Sequence, residues 1–269
     1  MSGQPPAQQA PDPNQLASFV ERLDVNEPAP STAAVLLDSL PECAAAIAGM
    51  VADAIENNEP VAVDFEGVDL CRDGELCLAQ LAPAKGPVLL VDVAALGQDA
   101  FDKGGLKGLL ESEKVLKLWF DVRTDSDALW HKHAVWPKNA YDVQIAYCTA
   151  RDKRAGRRDR FLKGLGAALE DCALIPIAER RRLESVKRQG VLLFAPEKGG
   201  SYQVWASRPL DPRLAEYAAA DVRHLHTMAA EHEWTAPAST VVGRTDNRIR
   251  KAIHSPKAAK GRHMALKDF

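Results

Sequence analysis

The sequence predicts an α/β fold built on one mixed sheet. Three observations carry this. Short apolar runs separated by turn signals crowd the first third of the chain, spaced as an antiparallel meander. From about residue 114 onward, strand-like runs alternate with helical stretches, the pattern of strands joined by crossovers. The chain has 269 residues, 46% of them hydrophobic, enough to bury a sizeable core in one domain.

The elements follow in order. Residues 1–30, rich in Pro, Gln, Ala and Asn, predict a flexible tail. Residues 34–37 (AVLL) predict a short strand. Ser39-Leu-Pro-Glu42 reads as a capping box with proline near the helix start, and NNEP stops that helix near Asn57. Three strands follow at 61–65, at 76–81 after the turn-like RDG, and at 88–93 after AKGP. A fourth spans 114–120 and leads into a helix from about Ser126. Residues 142–148 open another helix or short strand. From Gly164 the pattern is helical. The glycine- and proline-bearing run LFAPEKGGSYQVWASRPL predicts a loop or short hairpin that positions a last helix. Beyond Thr235 the chain turns Pro/Ala/Ser-rich and then basic, with no apolar periodicity except that RIRKAIH suits one short helix. These features predict one domain over 31–235, followed by a basic tail over 236–269.

Net charge is −3, so the whole chain exerts no bulk attraction on nucleic acid. The distribution is uneven. Arg22 is the one base in the first 60 residues, whereas 151–163 (RDKRAGRRDRFLK) and the C-terminal stretch are basic. Those stretches either guide a substrate strand or form solvated faces. The five cysteines show no CxxC pair and no metal-ligand spacing, which predicts reduced, mostly buried thiols in an intracellular protein, nuclear or cytoplasmic. The N-terminus lacks the basic and apolar regions of a secretory signal, and no stretch of about 18 apolar residues is present to span a membrane.

Three short segments carry the candidate chemistry. Asp64 and Glu66 sit on the apolar run VAVDFEG. Residues two apart on a strand share a face, so both carboxylates point one way while Phe65 points into the opposite layer. Asp125 sits in KLWFDVRTDSDAL. Tyr217 and Asp221 sit in LAEYAAADVRHL. Residues four apart on a helix are neighbours, so these two look in one direction. Carboxylates gathered on one spot repel unless a cation neutralises them, and hard oxygen ligands suit Mg²⁺ or Mn²⁺.

The order and context of these segments resemble the DEDD superfamily of 3′→5′ exonucleases, in its tyrosine-bearing branch, that of ribonuclease D. The resemblance extends from about Pro60 to Trp234. It includes LLVDVAALG, KNAYDVQIAY, FLKGLGAALED and WASRPLDPRLAEYAAADVRHL. FDVRTDSDAL and LLFAPEKGGSYQVWASRPL are similar to fungal members named 3′–5′ exonuclease domain-containing proteins. The histidine-bearing branch carries histidine five residues before the last aspartate, where this chain has Glu216.

The resemblance implies a ribonuclease H-like three-layer fold, with helices flanking a sheet of antiparallel meander plus parallel strands. It also implies a two-metal mechanism with Mg²⁺ or Mn²⁺. Asp64 would bridge both ions, and Glu66 and Asp221 would complete the shell of the ion that activates water. Asp125 would support the second ion, and Tyr217 would orient the attacking water. In FDVRTDSDAL the register from Phe120 selects Asp125; Asp121 could instead pair with Arg123 and Asp127 could cap the helix. Asp142 matches a structural position. His131 and His133 read as ordinary helix or surface histidines. Trp205, Arg208 and Pro209 read as a lock on the last helix, and Phe65 and Gln80 as packing positions. Gly67 and Phe120 depart from residues common among relatives, at positions that bear on substrate preference. Two functions compete: a 3′→5′ exonuclease acting on single-stranded or frayed DNA or RNA 3′ ends, and an inactive nucleic-acid-binding adaptor, since some animal relatives have lost acids. Retention of all four acids and the tyrosine favours the first.

Overall fold

A computed structural model describes residues 14–22, 34–233 and 235–269. Six strands form one sheet: β1 (Ala34–Leu37), β2 (Val61–Val68), β3 (Glu75–Ala82), β4 (Val88–Val91), β5 (Lys117–Trp119) and β6 (Ala140–Asp142). Their order is β1-β4-β3-β2-β5-β6. The expected meander is present, with β2–β3 and β3–β4 antiparallel, while β1–β4, β2–β5 and β5–β6 are parallel.

The longer helices among the described residues are α1 (Asn14–Arg22), α2 (Leu40–Glu56), α3 (Arg123–His133), α4 (Val143–Ala155), α5 (Ile177–Phe194), α6 (Pro212–Arg223), α7 (Leu225–His232) and α8 (Ala238–His254). They flank both faces of the sheet, giving the mixed ribonuclease H-like architecture. Alternation along β2 sorts the layers. Val61, Val63 and Phe65 pack with α2 residues such as Ile47 and Met50. Ala62 lies on the other face, with Leu78, Leu90 and Leu118, under Ala218, Ala219 and Val222 of α6. Phe65 is buried and stacks on Trp119, with ring centroids 5.7 Å apart. It is a core residue, as its place between two same-face acids requires.

A bulge lies where Glu66 opposes Leu78 and Gly67 opposes Leu76, leaving Cys77 as the extra residue. A side chain at Gly67 has no room, because an added Cβ would lie 1.9 Å from the Glu75 carbonyl oxygen. The departure at Gly67 is therefore a backbone requirement of this sheet.

The helix starts at Leu40 with Ser39 at its N-cap, but the expected capping box is not formed: Ser39 Oγ accepts from no backbone amide and instead donates to Glu42 Oε2 at 2.8 Å. Residues 195–211 form two short 3₁₀ turns, Pro196–Lys198 and Tyr202–Trp205, and then enter α6. Trp205 is fully buried. The Arg208 guanidinium reaches Asp92, which lies just past β4, with both carboxylate oxygens accepting, and also reaches the Cys77 carbonyl. Asp211 caps α6 by accepting from Arg213 N at 2.9 Å.

Two expectations about the chain ends need correction. Within the expected N-terminal tail, residues 14–22 are helical and bury Leu16 and Phe19 in the core; residues 1–13 and 23–33 lie outside the described residues. The expected basic tail over 236–269 is mostly packed structure. α8 lies against α3 and β6. Its Val241 and Val242 join the core on the α6 side of the sheet, and its Ile249 and Ile253 join the core on the other side. The helix therefore wraps the β6 edge. There Thr245 Oγ1 accepts from Asp142 N at 2.9 Å. Arg248, 1% exposed, donates to Asp142 at 2.6 Å, Gln144 at 2.9 Å and Asp268 at 2.8 Å. Basic residues of this segment are engaged internally: Arg250 with Asp246, Lys267 with Asp152, and Arg244 with Thr149. The apolar repeat is hidden from a linear reading because Thr245 and Arg248, both buried, interrupt the apolar face of the helix.

Candidate active site

β2 and α6 build the site together. α6 crosses the sheet face that carries Asp64 and Glu66. Tyr217 and Asp221, one turn apart on α6, face the same place. The carboxylates of Asp64, Glu66 and Asp221 each offer an oxygen, and those oxygens all lie within 4.8 Å of one another. Asp64 and Glu66 are half-buried; Asp221 is buried.

The electrostatics follow from burial and crowding. Burial pushes the Asp64 carboxyl well above the usual range, and the Asp221 charge pushes it further. Glu66 rises for the same reasons: burial first, then Asp221, then Asp64. Burial also raises Asp221, against the pull of Lys187. Three carboxylates that resist ionising together, with one ammonium beside them, are a site short of positive charge.

Asp125 stands in the first turn of α3, buried at 5% exposure. Burial raises its carboxyl, and Asp64, Asp121 and Glu66 add to the effect in that order. Asp125 is thus within electrostatic reach of the cluster but outside the three acids that converge. The neighbouring aspartates have other work. Asp121 pairs with Arg123 at 2.6 Å; burial would raise its carboxyl, but this ion pair holds it below the usual range. Asp127 does not cap the helix. It lies inside α3, fully buried, accepting from the Arg72 amide and guanidinium, and from Ala259 N. Arg72 in turn donates to the carbonyls of Ala252 and Ser255, tying the β2–β3 turn to the end of α8. Asp142 accepts from the amides of Asp121, Val122 and Gln144, so it shapes the turn that presents α3. His131 meets the Ile253 carbonyl and His133 meets Gln98.

The Tyr217 ring sits in an aromatic pocket, edge-on to Phe194 at 5.1 Å and tilted to Trp205 at 6.1 Å. Burial, then the charges of Asp221, Glu66 and Asp64, push its hydroxyl far above the ordinary tyrosine range. It stays protonated and is therefore available as a hydrogen-bond donor. α5 leans on the opposite side, with Gly190 against the ring.

Sequence reasoning missed Lys187 of α5. Its ammonium donates to Asp221 Oδ1 and lies 3.7 Å from the Tyr217 ring centroid. Nothing local in SVKRQG signals this, because the contact depends on how α5 packs on α6.

The donor set fits a divalent cation. All the converging groups are hard oxygen ligands, their ionisation is suppressed by burial and, at Asp64 and Glu66, also by the charge of neighbouring acids, and Asp221 Oδ2 is buried without a hydrogen-bond partner. Fold and cluster together define a nuclease-like protein of the ribonuclease H-like class. The 3′-5′ exonuclease family matches residues 45–231, and the chain belongs to that family, as a ribonuclease D-like domain.

Among relatives, it is 30% identical to piRNA biogenesis protein EXD1 of Mus musculus over 173 residues, 64% of this chain and 28% of that protein. It is 28% identical to ribonuclease D of Nitrobacter hamburgensis over 158 residues, 58% of this chain and 33% of that protein. The chain thus spans about a third of the length of these relatives. Among solved structures, Trypanosoma brucei RNase D in complex with RNA U12 superposes with a TM-score of 0.67 at 20% identity, covering 96% of this chain and 80% of that one. Brucella melitensis NrnC with bound Mg²⁺ gives 0.51 at 22% identity, covering 72% and 81%. Among the described residues no helix is long and apolar enough to cross a membrane. All five cysteines are free and buried.

Proposed function

We propose that this chain is a divalent-metal-dependent 3′→5′ exonuclease that hydrolyses phosphodiester bonds at single-stranded or frayed nucleic-acid 3′ ends, releasing nucleoside 5′-monophosphates. The carrying observation is the convergence of Asp64, Glu66 and Asp221, from a strand and a helix, beside a buried tyrosine. Asp64, Glu66 and Asp221 would hold the metal, Mg²⁺ or Mn²⁺, with Asp125 supporting a second ion from α3. Bound divalent ions supply positive charge for the phosphodiester oxygens and make water a better nucleophile near neutral pH.

The chain's own residues do the rest. Tyr217 keeps its proton and donates a hydrogen bond that fixes the attacking water; a phenol of this acidity is a positioner, not a base. Phe194 and Trp205 hold its ring, so the hydroxyl direction is set before substrate arrives. The Arg208–Asp92 pair fixes the approach to α6 and hence the place of Asp221. The neighbours bound to RNA U12 and, for NrnC, to pGG support nucleic acid as the substrate class.

A second reading, a nucleic-acid-binding adaptor without turnover, draws on one observation: the Lys187 ammonium already engages Asp221. Matched 3′-labelled and 5′-labelled DNA and RNA oligonucleotides, incubated with Mg²⁺, Mn²⁺ or EDTA, separate the two. An exonuclease releases labelled mononucleotide at once from the 3′-labelled strand and a shortening ladder from the 5′-labelled strand, with metal only. Binding without degradation under every condition would favour the adaptor.

A further inference from the structure

α5 and α6 come unusually close at one point. An added Cβ on Gly190 would lie 2.3 Å from Tyr217 Cδ2 and 2.8 Å from Tyr217 Cβ, so only a glycine fits there. Lys187 stands three residues earlier on the same helix and therefore on the same face. The close approach lays its stem over the Tyr217 ring, with Nζ 3.7 Å from the centroid, and delivers the ammonium to Asp221 Oδ1. The Lys187 side chain is only 17% exposed. Its charge also acts on Asp64 and Glu66, opposing the upward push on both carboxyls. A cation belonging to the protein thus sits among the three acids that would hold metal.

We infer that Lys187 is a tethered counter-ion of the acidic cluster. It pairs with Asp221 and offsets part of the charge of Asp64 and Glu66 in the metal-free protein, and it yields Asp221 when a divalent ion enters, so that metal binding is an exchange of cations. This rests on the reading of the cluster as a metal site. An ammonium has three donors and no acceptor, so it satisfies carboxylates but cannot join a metal's shell. Mg²⁺ needs its carboxylate oxygens at about 2.1 Å and would repel an ammonium bound to the same group. The displaced side chain has somewhere to go. A cavity of about 520 Å³ opens beside it, lined by Glu170, Arg180, Arg181 and Glu184 among others. Glu184, one turn back on α5, is a carboxylate within reach of a flexible lysine stem.

The exchange predicts opposite effects on the two states of the protein. Lys187→Met should melt at a lower temperature than wild type in EDTA. By calorimetric titration it should bind Mn²⁺ about tenfold more tightly, equivalent to losing a competitor worth about 1.4 kcal/mol. Lys187→Arg, which keeps the charge, should stay nearer wild type in EDTA. In the unmodified protein, trace acetylation read by mass spectrometry should label Lys187 several-fold faster with Mn²⁺ than in EDTA, while exposed Lys103 is unaffected. That measurement decides the matter even if Lys187→Met fails to fold. Equal or weaker Mn²⁺ binding by Lys187→Met, or Lys187 labelling unchanged by bound Mn²⁺, would overturn the exchange alone. Absence of Mn²⁺ binding by wild type and variant alike would remove the metal-site reading and the exchange with it.

Discussion

Gly190 and Tyr217 meet backbone to ring, with no space between them for a methyl group. Gly190→Ala must therefore push α5 away from α6 or turn the Tyr217 ring. Overpacking of this kind costs about 1–3 kcal/mol, against which the better helix propensity of alanine returns about 1 kcal/mol. The expected result is a modest drop in melting temperature and at least a tenfold loss of turnover. Gly166→Ala, where nothing lies within 4 Å of the added Cβ, is the matched control and should be neutral or slightly stabilising. Equal turnover in the two variants would show that the Tyr217 position is not set by this contact.

Tyr217→Phe keeps the aromatic packing and removes the hydroxyl. Melting temperature in EDTA should hardly change. Nuclease rate should fall about a hundredfold, at the low end for a group that assists proton transfer or positions water. A matching fall in Mn²⁺ affinity would instead mark the hydroxyl as part of the metal site.

Asp64→Asn should abolish nuclease activity yet stabilise the metal-free protein. Burial and Asp221 raise the Asp64 carboxyl, so its ionised form is unfavourable in the fold. Below the ordinary aspartate value of about 3.9, folded and unfolded chains are both protonated there, and this contribution vanishes. As pH rises, the unfolded chain ionises first, and the penalty on the wild-type fold grows until the raised folded value is passed. The melting advantage of Asp64→Asn in EDTA should thus emerge above about pH 4 and level off at higher pH. An advantage that shrank with rising pH would contradict the assigned shift.

Asp125, Asp127 and Asp121 should separate by phenotype. Asp125→Asn should lose activity with little loss of stability, because burial and then the charges of Asp64, Asp121 and Glu66 disfavour its ionised form in the metal-free fold. Asp127→Asn leaves the Arg72 guanidinium without its buried partner, and breaking such a pair costs about 3–5 kcal/mol. It should melt early while the surviving folded fraction stays active. Asp121→Asn loosens Arg123 and should be the mildest in activity. Thermal melts beside turnover per folded molecule would expose a register error if Asp127→Asn proved folded but inactive.

Arg248→Met should destabilise the whole domain. It leaves the buried Asp142 carboxylate short of a counter-charge, at a cost of about 3–5 kcal/mol. Removal of residues 238–269 should be worse, since it uncovers Thr245, Arg248, Ile249 and Ile253 partners on both faces. This replaces the simpler expectation that the basic C-terminal segment is a dispensable strand-guiding tail. A truncated protein with wild-type melting and a weakened oligonucleotide affinity would restore that expectation.

The core elements were legible because each has a local signature. The strand at 61–68 announced itself by an apolar run interrupted by two acids two residues apart, and the helix at 40–56 by Ser39, Pro41 and the NNEP stop. The fixed periods place Asp64 beside Glu66 and Tyr217 beside Asp221, whereas the convergence of the two pairs was implied only by the resemblance to the exonuclease family. The rest depends on packing. Lys187 is an ordinary helical lysine until α5 is set against α6. Asp127 looked like a cap because its partner, Arg72, is 55 residues away. The α8 helix looked like a tail because polar Thr245 and Arg248 stand in the middle of its buried face, between Val241 and Val242 at one end and Ile249 and Ile253 at the other, and break the apolar repeat in the sequence.

The hydroxyl of Thr245 that receives the Asp142 amide sets a timetable for synthesis. Strand β6 lies at the rim of the sheet, and its protecting residue is made 103 residues later. A nascent chain carries an open rim through that whole interval, with backbone donors free to recruit a strand from another chain. Chains stalled with residues 238–254 unmade or still inside the ribosome should therefore aggregate, whereas chains in which that helix has fully emerged should present a closed sheet. Ribosome-bound chains of graded length, tested for sedimentation, would show where protection begins.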